Sequence, residues 1–90
     1  MNALHLHVNF EYFDAIKRGE KKQEYRLASK WKRKLDAGLY SEIRIYRGYQ
    51  KAVEGDTLLI FPWRGFSIET ITHKHFNNEP VEVCAIRLHA

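Results

Sequence analysis

The run Asn9-Phe10-Glu11-Tyr12-Phe13-Asp14-Ala15-Ile16-Lys17-Arg18-Gly19-Glu20-Lys21-Lys22-Gln23-Glu24-Tyr25-Arg26-Leu27 changes its hydrophobic period once, at Gly19. Before the glycine, Phe10, Phe13 and Ile16 recur at helical spacing, Asn9 stands where an N-cap belongs, acids fill the first turns and bases the last. Gly19 supplies the stop, because a residue without Cβ leaves a helix with positive φ at little cost. From Glu20 to Leu27 the period is two, with Glu24 and Arg26 on one face and Tyr25 and Leu27 on the other. The spacing therefore predicts a short helix over Phe10–Arg18, a strand over Glu20–Leu27, and Lys21 at the corner between them.

Working outward, Ala3 to Val8 alternates strictly, placing Leu4, Leu6 and Val8 opposite His5 and His7, as a half-buried strand does. Ser29 is positioned to cap a second helix over Lys30–Ala37, ended by Gly38, whose apolar side is only Trp31 and Leu35. Ile43 to Tyr46 reads as a third strand, broken by Arg47-Gly48-Tyr49. After the turn Glu54-Gly55-Asp56, the run Thr57 to Phe61 is continuously apolar and predicts a strand buried on both faces, with Pro62 ending its pairing or forcing a bulge. Arg64-Gly65 turns the chain into a fifth strand over Phe66–His73, and Asn77-Asn78 leads to a sixth over Val81–Leu88. The expected class is α+β, a small barrel of about six strands with two short helices, because an open sheet of so many short strands would leave long edges unprotected.

Ninety residues allow one domain, 1–90, with no repeat, linker or low-complexity segment to divide it. A composition of 44% hydrophobic and 29% charged residues is too apolar for a disordered chain. No run of about 18 apolar residues could span a bilayer, so no membrane partner is expected. The first residues carry no signal-like pattern, and the lone Cys84 excludes an intramolecular disulfide and a four-cysteine zinc site. A reducing, cytoplasmic setting is the expectation.

The net charge of +4 is unevenly placed. Between Lys17 and Lys34, nine basic and two acidic residues leave +7, while six basic and nine acidic residues elsewhere leave −3. Such a local excess attracts polyanions through counterion release, although basic residues also simply solvate a surface helix.

Gly19-Glu20-Lys21-Lys22-Gln23-Glu24-Tyr25-Arg26 has the form G-x-K-x-x-E-x-R directly after an amphipathic helix. In that context it resembles the ASCH domain, a family with a small PUA-like β-barrel. The resemblance extends to Tyr12-Phe13-Asp14-Ala15-Ile16, to Gly55-Asp56-Thr57-Leu58, and to the segment from Ile71 to Phe76 with Glu79-Pro80-Val81-Glu82-Val83, which looks like the terminal hairpin of compact bacterial and phage members. It implies binding of RNA or a modified nucleoside in a cleft floored by Gly19, Lys21, Glu24 and Arg26. It also implies an alternative, a small hydrolase acting in the same cleft, either an N4-acetylcytidine amidohydrolase or a ribonuclease. In the amidohydrolases the motif lysine works beside a threonine nucleophile three residues on. Here that position is Glu24, so Lys21 and Glu24 are the catalytic candidates of an enzyme, with Thr70 or Thr72 as other sources of a hydroxyl.

Physical chemistry adds further candidates. Arg44-Ile45-Tyr46-Arg47-Gly48-Tyr49 and Phe61-Pro62-Trp63-Arg64-Gly65-Phe66 interleave aromatics with bases, a composition suited to stacking single-stranded bases; Arg44, Tyr46, Tyr49, Trp63 and Arg64 join the binding set, while Phe66 reads as core. Ribonuclease chemistry needs an acid, a base and a cation, and Lys21, Arg26, Tyr46, Tyr49, His73 and His75 have the right types. The pairs His5/His7 and His73/His75 share strand faces, but zinc would need further ligands, such as Cys84 or a carboxylate, and neither a metal nor a cofactor is expected. A protein partner for the basic helix is the third, different reading. Neutralising Lys30, Lys32, Arg33 and Lys34 together should flatten the slope of log K against log salt for single-stranded RNA by roughly 3, at about 0.7 per lost phosphate contact. An unchanged slope would reduce that helix to a solvated face.

Overall fold

The structure is a computed structural model and describes residues 2–74 and 77–89; His75 of the predicted histidine pair lies outside them. Its elements follow in the order β1 (Asn2–Val8), α1 (Phe10–Lys17), β2 (Gln23–Leu27), α2 (Ala28–Ala37), β3 (Tyr40–Arg47), β4 (Leu58–Pro62), β5 (Phe66–Thr72) and β6 (Pro80–Arg87). The class is α+β, with six strands and two helices among the described residues. Hydrogen bonding divides the strands into two three-stranded sheets, β1-β3-β4 and β2-β6-β5. β1 and β3 run parallel, Leu4 beside Ile43 and Leu6 beside Ile45, and the remaining neighbours are antiparallel. Among the described residues, no helix is long and apolar enough to cross a membrane.

One core joins the two sheets. Leu4, Leu6 and Val8 from β1, Phe13 and Ile16 from α1, Leu35 from α2, Ile43 and Ile45 from β3, and Cys84 and Ile86 from β6 form a single buried cluster. The alternation read in the sequence is what sends Leu4, Leu6 and Val8 inward and leaves His5 and His7 exposed.

Helix α1 is bounded as its sequence requires. The Asn9 side chain accepts a hydrogen bond from the Tyr12 N–H at 2.8 Å. At the other end Gly19 takes φ +80, and the N–H groups of Glu20 and Lys21 both donate to the Ala15 carbonyl. Asp14 then accepts two hydrogen bonds from Arg47, at 3.0 and 3.2 Å, which tie α1 to the end of β3. That doubled contact holds the Asp14 carboxyl below the ordinary aspartate range.

Three expectations need correction. Helix α2 begins at Ala28, not at Lys30, and Ser29 does not cap it; Leu27, the last residue of β2, is the N-cap, and no side chain bonds there. The chain passes from strand to helix without a loop, so Ser29 already lies in the first turn. Strand β2 is shorter than expected, because residues 20–22 are spent leaving the helix. Strand β4 is not buried on both faces: Leu59 and Phe61 pack against the core, whereas Ile60 between them, on the other face, is 36% exposed. The order β1-β3-β4 puts it at a sheet edge with one face uncovered, a placement that an apolar run cannot report. Pro62, opposite Glu42, is the last residue of β4 and ends its pairing as expected.

Gly48, just beyond β3, has φ +57, and a Cβ there would meet the Phe10 ring at 2.8 Å. The exposed Phe10 ring can shift, so the backbone conformation dominates the cost. Gly48→Ala should therefore destabilise the fold by roughly 1–2 kcal/mol, the penalty for an L-residue in the left-handed region. Urea unfolding checks this, and an unchanged midpoint would show that the turn relaxes without strain.

Candidate functional site

The centre of the site is the carboxylate of Glu24. Its place on β2 turns it inward, and the residue is only 6% exposed, the one buried polar or charged residue among those described. Arg26, two residues along and on the same face, brings its Nη2 to 3.0 Å from Glu24 Oε2. Lys21 Nζ stands 3.9 Å from Oε1, an electrostatic neighbour beyond hydrogen-bond range. The predicted sharing of a face by Glu24 and Arg26 thus becomes a buried ion pair, with Lys21 closing the other side.

Each cation is held by more than the carboxylate. Lys21 Nζ lies 5.1 Å from the centre of the Tyr12 ring and 4.8 Å from that of Tyr25, and its side chain is 20% exposed. The arrangement is a cation seated between two aromatic rings beside an anion. Arg26 Nη2 also donates to the His7 carbonyl at 3.0 Å, and its guanidinium lies 5.2 Å from the Trp31 ring centre. Arg26 Nε is buried and finds no acceptor among the described residues. One guanidinium therefore connects β1, β2 and α2 at one point.

Burial pushes the Glu24 carboxyl above the ordinary glutamate range, outweighing the downward pull of Arg26 and Lys21. Tyr12 is raised as well, by burial first and then by the carboxylates of Glu11 and Glu24, so it stays a phenol at neutral pH.

A cavity of about 310 Å³ opens over this triad, lined by Tyr12, Lys21, Glu24, Tyr25, Ile71, Thr72 and His73. That volume lies at the lower end of small-molecule pockets. Lys21 and Tyr25 also border a second concavity with Glu20, Lys22 and Arg87. A groove continues from Tyr12, Glu24 and Tyr25 past Arg26 to His7, Lys30 and Trp31.

The structure thus gathers Lys21, Glu24 and His73 around one cavity, with Arg26 behind the carboxylate. Gly19 shapes the approach without lining the cavity. The other predicted residues lie elsewhere. Trp63 packs on the core beside Tyr40 and Phe66, and Arg64 is exposed in the turn after β4. Arg44 pairs with Glu42 at 2.6 Å on β3. Tyr46 and Tyr49 stack with His5 and His7 on the outer face of β1 and β3. The residue types suited to ribonuclease chemistry are therefore divided between two places. Tyr12 and Tyr25 were not among the expected site residues, because Tyr12 belongs to the preceding helix and Tyr25 alternates with Glu24 along β2. Thr72 lines the cavity and Thr70 does not. No group of three His, Cys, Asp or Glu side chains able to hold a metal occurs among the described residues.

Comparison of the chain with protein-family models, with curated proteins and with solved structures finds no match.

Because the folded Glu24 binds its proton more tightly than the unfolded one, its contribution to stability falls as pH rises through the window above ~4.3. Glu24→Gln removes that titration. The unfolding free energy of the parent minus that of Glu24→Gln should then decrease between about pH 4 and pH 7. A difference that grows with pH would mean that attraction to Arg26 and Lys21 outweighs burial.

Proposed function

We propose that this chain is an ASCH-type domain of PUA-like architecture that binds RNA or a modified nucleoside in the cleft over Lys21, Glu24 and Arg26. The observation that carries the reading is the buried Glu24 carboxylate, clamped by two cations at the floor of an aromatic-walled cavity. An isolated structural ion pair of this kind is rarely worth its desolvation, since apolar isosteres often do as well or better. A ligand changes that balance. A carboxylate accepts from the exocyclic amino group of a base such as cytosine, while a positioned ammonium meets phosphate or a carbonyl oxygen. Tyr12, Tyr25 and His73 supply faces or edges for a planar base. The G-x-K-x-x-E-x-R spacing accounts for the local geometry: Gly19 releases the chain, Lys21 emerges at the corner, and Glu24 and Arg26 share one strand face.

In this reading the two three-stranded sheets on their shared core correspond to the walls of a small barrel. The positive excess of residues 17–34 guides an anionic ligand towards the cleft.

A second reading, hydrolysis of a nucleoside amide in the same cleft, is favoured by one observation. Thr72, from β5, lines the cavity with Lys21 and Glu24, so a hydroxyl absent from the motif is supplied by another strand. In that constellation the raised carboxyl of Glu24 is suited to proton transfer and Thr72 to nucleophilic attack.

Lys21→Met keeps the aliphatic stem and removes the charge. For a binding site it should weaken cytidine and N4-acetylcytidine by about 1–3 kcal/mol in calorimetric titration, the range for a hydrogen bond to a charged group. For a catalytic site, Lys21→Met and Thr72→Val should each lower acetate release from N4-acetylcytidine by ~10²–10⁴-fold. A folded Lys21→Met protein with unaltered binding and turnover would remove this corner from the functional site.

A further inference from the structure

On the outer face of the β1-β3-β4 sheet, four rings from two segments form one nearly parallel stack. His5 and Tyr46 have centroids 5.7 Å apart, Tyr46 and His7 4.7 Å, and His7 and Tyr49 4.5 Å, with interplanar angles of 23°, 20° and 14°. The parallel register of β1 and β3 brings this about by setting His7 directly beside Tyr46. Tyr49 comes from the turn after β3, where the positive φ of Gly48 reverses the chain.

The stack is held from behind. His5 Nδ1 and Tyr46 Oη are 2.7 Å apart, and His7 Nδ1 donates to the Gly48 carbonyl at 2.9 Å. Arg47, at the root of the turn, is fixed by Asp14 and donates to Gln50 at 3.0 Å. Yet Tyr49, the terminal ring, is 89% exposed. A large aromatic presented to water buries little area in the fold, and its ordered, flat presentation suits another planar group.

The stack also has a direction. The His7 carbonyl accepts from Arg26, the same guanidinium that pairs with Glu24, and His7, Arg26, Lys30 and Trp31 line the groove that leaves the cleft. Cavity, groove and stack are thus linked through shared residues: Tyr12, Glu24 and Tyr25 line both cavity and groove, and His7 belongs to both groove and stack. That arrangement matches a chain of nucleotides, whose bases stack on aromatic faces while its phosphates follow cations. A free nucleoside uses only the first part, and a duplex keeps its bases stacked on one another.

We propose that the ligand of the cleft is a single-stranded nucleic acid, and that a nucleotide neighbouring the one in the cleft stacks on Tyr49 at the end of the His5–Tyr46–His7–Tyr49 ladder. The proposal rests on the cleft reading above and specifies its ligand class. The experiment compares a short fluorescein-labelled oligocytidylate with cytidine monophosphate, by anisotropy and calorimetry respectively. Tyr49→Ala should weaken the oligonucleotide by about tenfold and leave the mononucleotide unchanged. Tyr49→Phe, which keeps the ring, should bind both as the parent does. The exposure of Tyr49 makes both variants safe for the fold.

Oligocytidylate binding that Lys21→Met abolishes and Tyr49→Ala leaves untouched would overturn the ladder proposal while the cleft reading stands. Binding that Tyr49→Ala weakens and Lys21→Met leaves untouched would overturn the cleft reading and the continuous path with it. Equal affinity of the parent for mononucleotide and oligonucleotide, or tighter binding of a duplex, would also overturn the proposal.

Discussion

Burying one carboxylate organises this molecule. Glu24 cannot stay charged at 6% exposure unless cations come to it, and those cations must come from somewhere. Arg26 is supplied by the same strand face and Lys21 by the corner after α1, so strand and helix must meet at a fixed angle. Arg26 then reaches the backbone of β1 and the ring of Trp31 on α2, while Lys21 reaches Tyr12 on α1. Four elements are thereby positioned by one polar network at the edge of an otherwise apolar core. Core packing supplies most of the stability, because it removes the larger area from water. The polar network adds direction, which apolar packing lacks.

The same constraint shapes the chemistry available to the site. Desolvation raises the Glu24 carboxyl while Arg26 and Lys21 pull it down, so small changes in the surroundings shift the balance between donor and acceptor. A ligand that expels water from the cavity strengthens all of these terms together. In the proposed reading, recognition and proton transfer are therefore neighbouring outcomes of one geometry. What separates them is whether the Thr72 hydroxyl comes within reach of a reacting atom. The second surface, the aromatic ladder, follows from a different cause: exposed alternate residues of β1 and β3 fall side by side once those strands pair in parallel.

Local signals determine structure where they act over a few residues. The Asn9 cap, the Gly19 stop, the alternation of Leu4, Leu6 and Val8, and the common face of Glu24 and Arg26 are all properties of dihedral preference and period. Helix α2 began earlier than its serine suggested because the preceding strand runs into it without a loop. The apolar run from Thr57 to Phe61 gave the right element and the wrong environment. Hydrophobicity records what a residue tolerates, and edge or centre is fixed by which neighbours arrive.

The sequence by itself determined the helix–corner–strand unit that carries Lys21, Glu24 and Arg26, since capping, φ preference and side-chain alternation are local. It also determined the concentration of positive charge on residues 17–34. Only the tertiary structure decided that Glu24 is buried, that Tyr12 and Tyr25 flank Lys21, that Thr72 and His73 close the cavity, and that His5, His7, Tyr46 and Tyr49 stack. Apart from Tyr12, Lys21 and Tyr25, these residues are brought together from segments far apart in the chain. Their meeting depends on the parallel pairing of β1 with β3 and on the packing of two sheets over one core, and no short-range preference encodes either.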